Sequence, residues 1–321
     1  MKYKRYKRFL SVLIIMSIVL LGCSNDKWES TLYTPTMIQK FDNFYFIVDC
    51  WHHRIIYNDN LTDDISKWET LTDDINGSHS IASDGKLYLV DDTDNGKIRV
   101  FKKTNNAFTQ TQILNNITGR PHYIEYDEKT KYFYLISSEN GELRVMSNKN
   151  DKIEIVKSVI IKNLVNAYTR SFNIIDGYMY TVSANGYINK INYNNMKFDV
   201  IESFKVPNEL VGMNYIDKIG DYYYISTYTN SDGAVSPMFV RTKDLNSLKS
   251  GEYEDLYNVL GFKGTPYFIT HFDKKYFITE IDSSSGIKSF EVNNNNISNV
   301  RTIYYFKGFS QSSLRRKESR K

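Results

Sequence analysis

A chain of 321 residues with 41% hydrophobic and 15% aromatic content is long enough to bury a large core, and its formal net charge of +4 overstates how basic it is. Lys2, Lys4, Arg5, Lys7 and Arg8 sit at one end and Arg315, Arg316, Lys317, Arg320 and Lys321 at the other; without these and Glu318, the body carries 31 Lys and Arg against 36 Asp and Glu. A mildly acidic body argues against a nucleic-acid partner, which needs a concentrated basic face.

The chain opens with MKYKRYKR, followed by the apolar run FLSVLIIMSIVLLG and Cys23. A basic stretch before an apolar run too short to span a bilayer comfortably reads as a secretory signal. Leu20, Leu21, Gly22 and Cys23 resemble a bacterial lipobox, with Gly22 and Leu20 at their expected places and Leu21 bulkier than usual. The resemblance implies a lipoprotein signal peptide over residues 1–22, cleavage after Gly22, and a lipid on Cys23 that holds the protein to the extracytoplasmic face of the cell membrane. Each buried CH₂ of such an anchor contributes about 0.8 kcal/mol. A lipidated Cys23, with a spacer over 23–27, leaves Cys50 without an intramolecular partner, so no disulfide is expected.

Residues 28–308 read as one domain. WESTLYT (28–34) is echoed by WETLTDD (68–74), which leads into GSHSIASDGKLYLVDDTDNGKIRVF (77–101). That stretch reads as three strands broken at Asp84-Gly85 and Asn95-Gly96, pairs that tolerate the positive φ a two-residue hairpin needs. Worn copies begin at Thr36, Pro121, Ser171, Met213 and Pro266, with turns expected at Asn140-Gly141, Asp176-Gly177, Asn185-Gly186, Asp232-Gly233 and Ser285-Gly286. Six units with a period of roughly 45 residues predict an all-β fold, a six-bladed β-propeller with four-stranded antiparallel blades. Strands such as Leu87 to Val90 are apolar on both faces, as a blade between two blades requires. Both 28–33 and 300–305 look like outer strands; the N-terminal one is expected to pair with the last blade and close the ring. Residues 309–321 read as a basic disordered tail.

VDCWHHRIIY (48–57) and residues 78–101 resemble the NHL repeat. Asp49, His53, Arg54 and Ile55 match in the first unit, and Asp91, Asn95, Lys97 and Ile98 loosely in the second. The later units keep the strands but lose the acidic strand end. The resemblance implies a six-bladed propeller of a kind that serves as a protein-binding module, an RNA reader or, in a few cases, an enzyme, so it does not choose a function.

Aligning the units on their first turns puts Thr36, His79, His122, Ser171, Asn214 and Tyr267 at one mouth of the central channel, with Arg120 and Arg170 beside them. These positions are expected to be partly solvated. Two imidazoles among hydroxyls, amides and arginines offer an anion site, a proton-transfer site, or a divalent metal site on His79 and His122; the plainer reading is that they plug a wet channel. Adjacent His52 and His53 should diverge, Asp91, Asp92, Asp94 and Asn95 read as turn residues, and His271 as a core residue. The sequence contains no Gly-x-Ser-x-Gly, P-loop, dinucleotide fingerprint or CxxC. The favoured function is a lipid-anchored propeller that binds a small polar ligand or an extracytoplasmic protein at the channel mouth. The alternatives are a metal-dependent lactonase- or lyase-type enzyme using the two histidines, and a scaffold that binds protein through its rim.

Overall fold

The computed structural model describes residues 30–307. The leader, Cys23, Trp28 and the tail lie outside the described residues.

Blade 1 holds β1 (Pro35–Phe41), β2 (Phe44–Asp49), β3 (Arg54–Asn58) and β4 (Glu69–Thr72). Blade 2 holds β5 (Ile81–Ser83), β6 (Leu87–Asp92), β7 (Lys97–Thr104) and β8 (Ala107–Leu114), and blade 3 holds β9 (Pro121–Asp127), β10 (Tyr132–Ser137), β11 (Asn140–Lys149) and β12 (Lys152–Val165). Blade 4 follows with β13 (Thr169–Ile175), β14 (Tyr178–Ser183), β15 (Tyr187–Asn192) and β16 (Asp199–Lys205). Blade 5 has β17 (Met213–Ile219), β18 (Tyr222–Thr229), β19 (Val235–Thr242) and β20 (Glu254–Asp255), and blade 6 has β21 (Thr265–Phe272), β22 (Lys275–Ile281), β23 (Ser284–Asn293) and β24 (Asn296–Lys307). Each blade is a four-stranded antiparallel sheet whose strands lie in chain order, so the structure is the six-bladed β-propeller the repeats predict.

Burial follows strand position. Every residue of β6 is buried, as are four in a row of β2, because the second strand is covered on both faces by neighbouring blades. Outer strands β8 and β16 are mostly exposed. Apolar clusters fill the spaces between blades, for example Leu87, Leu89, Phe133 and Leu135 between blades 2 and 3.

The turns depart from expectation in detail. Only at Asp176-Gly177 do both residues of the anticipated pair have positive φ (50° and 78°). At Asn95-Gly96 a 3-10 turn, Thr93–Asn95, ends on Gly96 alone. Asn140-Gly141 and Ser285-Gly286 are not turns, since they lie within β11 and β23. Their glycines serve close approach: a Cβ on Gly286 would meet the Tyr304 carbonyl at 2.5 Å, and one on Gly141 the Ile161 carbonyl at 2.8 Å.

The ring closes differently from the expected strand exchange. Residues 300–305 lie in β24, the outer strand of blade 6, and residues 30–33 form no strand. Side chains seal the seam instead. Leu32, Ile38 and Ile47 pack with Phe277, Ile287 and Tyr304, and the Thr34 amide donates to Ser285 Oγ at 3.2 Å. The Tyr304 hydroxyl accepts from Trp68 Nε1 (3.2 Å) and faces the Leu61 and Asp63 carbonyls, where it donates.

Two substitutions test this seam. Leu32→Ala should cost about 2–4 kcal/mol, the range for a buried leucine. Tyr304→Phe should cost about 1–2 kcal/mol by removing the hydroxyl bond to the Leu61 carbonyl and leaving the indole N–H only its long 3.4 Å bond to the Asp63 carbonyl. Urea unfolding measures both, and unchanged midpoints would show that the ring is held elsewhere.

Candidate functional site

The channel mouth is built by a backbone irregularity repeated around the ring. The ladder between first and second strands shifts register at Pro35/Met37, at Pro121/Tyr123, at Thr169/Ser171, at Met213/Tyr215 and at Pro266/Ile269. The residues left over are Thr36, His122, Arg170 and Asn214, with Tyr267 inside the longer shift. A bulge frees one residue from the ladder and re-aims its side chain, and all five line the mouth. In blade 4 the freed residue is Arg170, one place before the Ser171 that the alignment selected. In blade 2, His79 stands before β5; the Asp91 carboxylate takes the place of a ladder there, accepting from the amides of His79 (3.0 Å) and Ser80 (2.6 Å).

The recess is about 470 Å³ and gathers Thr36, His79, Arg120, His122, Arg170, Asn214 and Tyr267, together with Trp51, Tyr168, Tyr228 and Asp94. Ser171 lines the narrow neck below it, which ends on Tyr123, Tyr215 and Phe268. These three rings pack at 4.7–6.2 Å and plug the channel. Of the residues picked out in the sequence, all eight therefore meet at one end of the channel.

Their chemistry differs from the expectation in three ways. First, the histidines are less solvated than expected: His122 is 2% exposed and His79 half-buried, and the imidazoles stack with centroids 3.9 Å apart and planes at 27°. His122 Nδ1 donates to the Arg170 carbonyl at 2.7 Å. Burial, with neighbouring arginines, holds His79 down at about 3, and burial with His79 beside it holds His122 well below the usual histidine range. Both rings are neutral at physiological pH. Second, the pair does not fit a metal. An ion between stacked rings would lie roughly 2 Å outside each ring plane, away from the in-plane lone pairs that bind metals. Among the described residues no group of three or more His, Cys, Asp or Glu side chains is placed to hold an ion. Third, Arg120 is offset by Asp94 at 3.2 Å and Glu139 at 3.7 Å. Arg170 forms no such ion pair among the described residues. Its guanidinium donates to the Gly212 and Met213 carbonyls (3.3 Å each) and sits 5.1 Å from the Tyr168 ring and 5.8 Å from the Tyr228 ring.

Strand-end carboxylates brace this rim. Asp49 accepts from the Tyr33 amide, from His52 Nδ1 (2.6 Å) and from Arg54 Nε (3.0 Å), which ties the incoming chain to the third strand. Asp92 does the same with the Asn76 amide and Arg99, so Asp91 and Asp92, both fully buried, are organising groups rather than plain turn residues. In blade 6, Glu280 accepts from the Lys263 and Gly264 amides, with Lys288 4.0 Å away. His52 and His53 have different partners, but from a 3-10 turn (Cys50–His52) and its left-handed cap rather than from a strand; His53 Nδ1 accepts from the Gly77 amide. Cys50 is buried and unpaired, 4.0 Å from His79 Nε2, and burial pushes its thiol up.

The sequence reading missed Tyr168, Tyr228 and Trp51, the aromatic walls of the recess. Tyr168 stands two residues before Arg170 with φ 47°, and that Tyr-x-Arg spacing was the available signal. His271 is exposed beside Tyr276 rather than in the core.

No family model matches the chain, and no curated protein matches it. Solved structures do. A protein of Bacteroides uniformis provisionally assigned as a 6-phosphogluconolactonase has a TM-score of 0.59 at 11% identity, covering 87% of each chain. A like-assigned protein of Bacteroides fragilis gives 0.58 at 12%, over 87% of this chain and 86% of its own. Hydrazine synthase of Kuenenia stuttgartiensis gives 0.57 at 14%, over 84% and 78%. At such identities the likeness is one of fold alone.

The lowered histidine pKa makes a pH prediction. A folded-state pKa near 3 for His79, against about 6.5 unfolded, means that the unfolded chain binds the extra proton between those values. The stability this ring contributes is present above pH 6.5 and is lost as pH falls toward 3, by up to about 1.4 kcal/mol per pH unit. His79→Gln should flatten the acid-side decline by that slope in denaturation curves taken at several pH values. An unchanged slope would place the ring in water.

Proposed function

We propose that this propeller binds a small anionic ligand with a flat or ring-shaped body in the recess around Arg170. The observation that carries the reading is the placement of Arg170: a bulge residue whose guanidinium stands over two tyrosine rings, without a carboxylate partner among the described residues. Guanidinium matches carboxylate and phosphate in a bidentate geometry, and its strength rises in a recess shielded from water. Tyr168, Tyr228 and Trp51 line the recess and supply aromatic surface against which a sugar or aromatic ring packs. The volume falls in the range of small-molecule sites.

A metal-dependent lactonase or lyase is not favoured. The stacked histidines offer no metal geometry, and an imidazole held near 3 is far from the pKa near the working pH that an acid–base catalyst needs. The provisional lactonase assignments of the Bacteroides neighbours therefore do not transfer. The lipobox-like segment supports display of the recess on the extracytoplasmic face of the membrane through lipidated Cys23.

Two experiments test the reading. Calorimetric titration of the purified protein with sugar acids, sugar phosphates and acidic amino acids should find a saturating ligand, and Arg170→Lys, which keeps the charge but loses the fork, should weaken it about tenfold or more, equivalent to 1.4 kcal/mol. Saturation unaffected by Arg170→Lys, or no anion binding at all, overturns the site. In cells, Cys23→Ser should leave the protein unprocessed or released from membranes; a variant still cleaved after Gly22 and still membrane-bound overturns the anchor.

A further inference from the structure

The channel has a second end, and its chemistry is the reverse of the first. Three residues along the inner strands from the bulge positions stand Gln39, Glu125, Asp217 and Thr270, which with Asn173 line a separate recess of about 280 Å³. Its floor is the other side of the Tyr123, Tyr215 and Phe268 plug. No Lys or Arg lines it. Lys218, next to Asp217, turns its ammonium away to Asp176 at 2.5 Å. Asp217 Oδ1 accepts from Asn173 Nδ2 and from the Lys218 amide, both at 2.8 Å. Glu125 Oε2 is sealed from solvent and has no hydrogen-bond partner among the described residues. An acceptor of this kind, buried and unused, is costly unless something occupies it.

We propose that this second recess binds a small organic ammonium ion, held by Glu125 and Asp217 against the aromatic plug. An ammonium brings the donors that Glu125 Oε2 lacks and the charge that two carboxylates without a basic neighbour call for. Tyr123, Tyr215 and Phe268 line the recess and offer aromatic surface to attract a cation and cover its methylene groups. A hard divalent metal fits less well, since it needs six or more oxygen ligands or a cluster of side-chain donors that the described residues do not assemble. The inference is independent of the anion reading, because the two recesses lie on opposite sides of the plug.

Binding here is coupled to protons. Burial first, and then the neighbouring carboxylates, push Glu125 up to about 8, while burial pushes Asp217 up to about 7. The groups facing them are Tyr123 and Asp127 from β9, Tyr215 from β17, His271 from β21 and Tyr276 from β22, the Lys218 ammonium being turned away to Asp176. At neutral pH Glu125 is then mostly protonated and Asp217 about half so, and an ammonium must displace those protons. Affinity therefore rises as pH rises through 7 to 8, with proton release on binding.

The test is calorimetric titration of the purified protein with methylammonium and with 1,4-diaminobutane, at pH 6 and 8.5, in buffers of different ionisation enthalpy, with calcium chloride in parallel. Saturable amine binding that strengthens about tenfold or more from pH 6 to 8.5, with net proton release, is expected. Glu125→Gln with Asp217→Asn should abolish it, and Arg170→Lys should leave it intact. If the double variant does not fold, Glu125→Gln alone decides, through a loss of about tenfold or more. No saturation by either amine, binding unchanged in the variants, or saturation by calcium alone overturns the proposal.

Discussion

The inner edge of a propeller blade is a row of backbone groups with no further strand to pair with, and in this protein the neighbouring blade satisfies them through side chains. Ser171 Oγ donates to the Asn214 carbonyl (2.7 Å), Asn214 Nδ2 to Pro266 (3.0 Å), and Asn173 Nδ2 to Ile216 (3.1 Å). His122 donates to Arg170, Ser226 to Tyr267, and Ser80 Oγ accepts from the Ile124 amide. Across the seam, Thr270 Oγ1 donates to Gln39 Oε1. Buried peptide groups have to be paired, so the channel wall must be polar although much of it is buried. The rest follows: polar residues recur at the same register in every unit, bulges free them from their own ladder, and the recesses sit where the stitching leaves room.

That constraint also explains what was legible beforehand. Strand order, blade number and the eight mouth residues could be read, because a period of strands and a recurring polar position are local patterns. Neither reading of those residues foresaw that His122, Ser171 and Asn214 bond to backbone carbonyls of the next blade. The one-residue error in blade 4 arose because a bulge shifts register without leaving a mark in the sequence. Glu280 escaped notice because its carboxylate does the work of Asp49 and Asp92 from a side chain one methylene longer. Ring closure was misjudged because two segments had the composition of an outer strand, and only tertiary packing distinguishes them.

The electrostatics divide the channel. Arg120 and Arg170 face one recess and Glu125 and Asp217 the other, with a tyrosine and phenylalanine plug between them. The Tyr123 hydroxyl donates to that of Tyr215 across 3.3 Å, and burial raises both phenols well above their usual range, so the plug stays neutral. With the axis closed, the molecule offers two chambers rather than a passage.

The seam bears on how the chain folds. Since every blade is one continuous stretch, each can form its sheet from neighbours in sequence, and contacts between adjacent blades span only some forty residues, as from Ser171 to Asn214 (43) or Ser80 to Ile124 (44). The contacts that close the ring span far more: 231 residues from Gln39 to Thr270 and 251 from Thr34 to Ser285. Local contacts form fast and distant ones slowly, while the entropy of closing a loop grows only with the logarithm of its length. A growing row of blades can therefore assemble in order, with ring closure expected as its last event. Until Tyr304 reaches Trp68, blades 1 and 6 each present an uncovered apolar face, which makes the open row the species most exposed to aggregation.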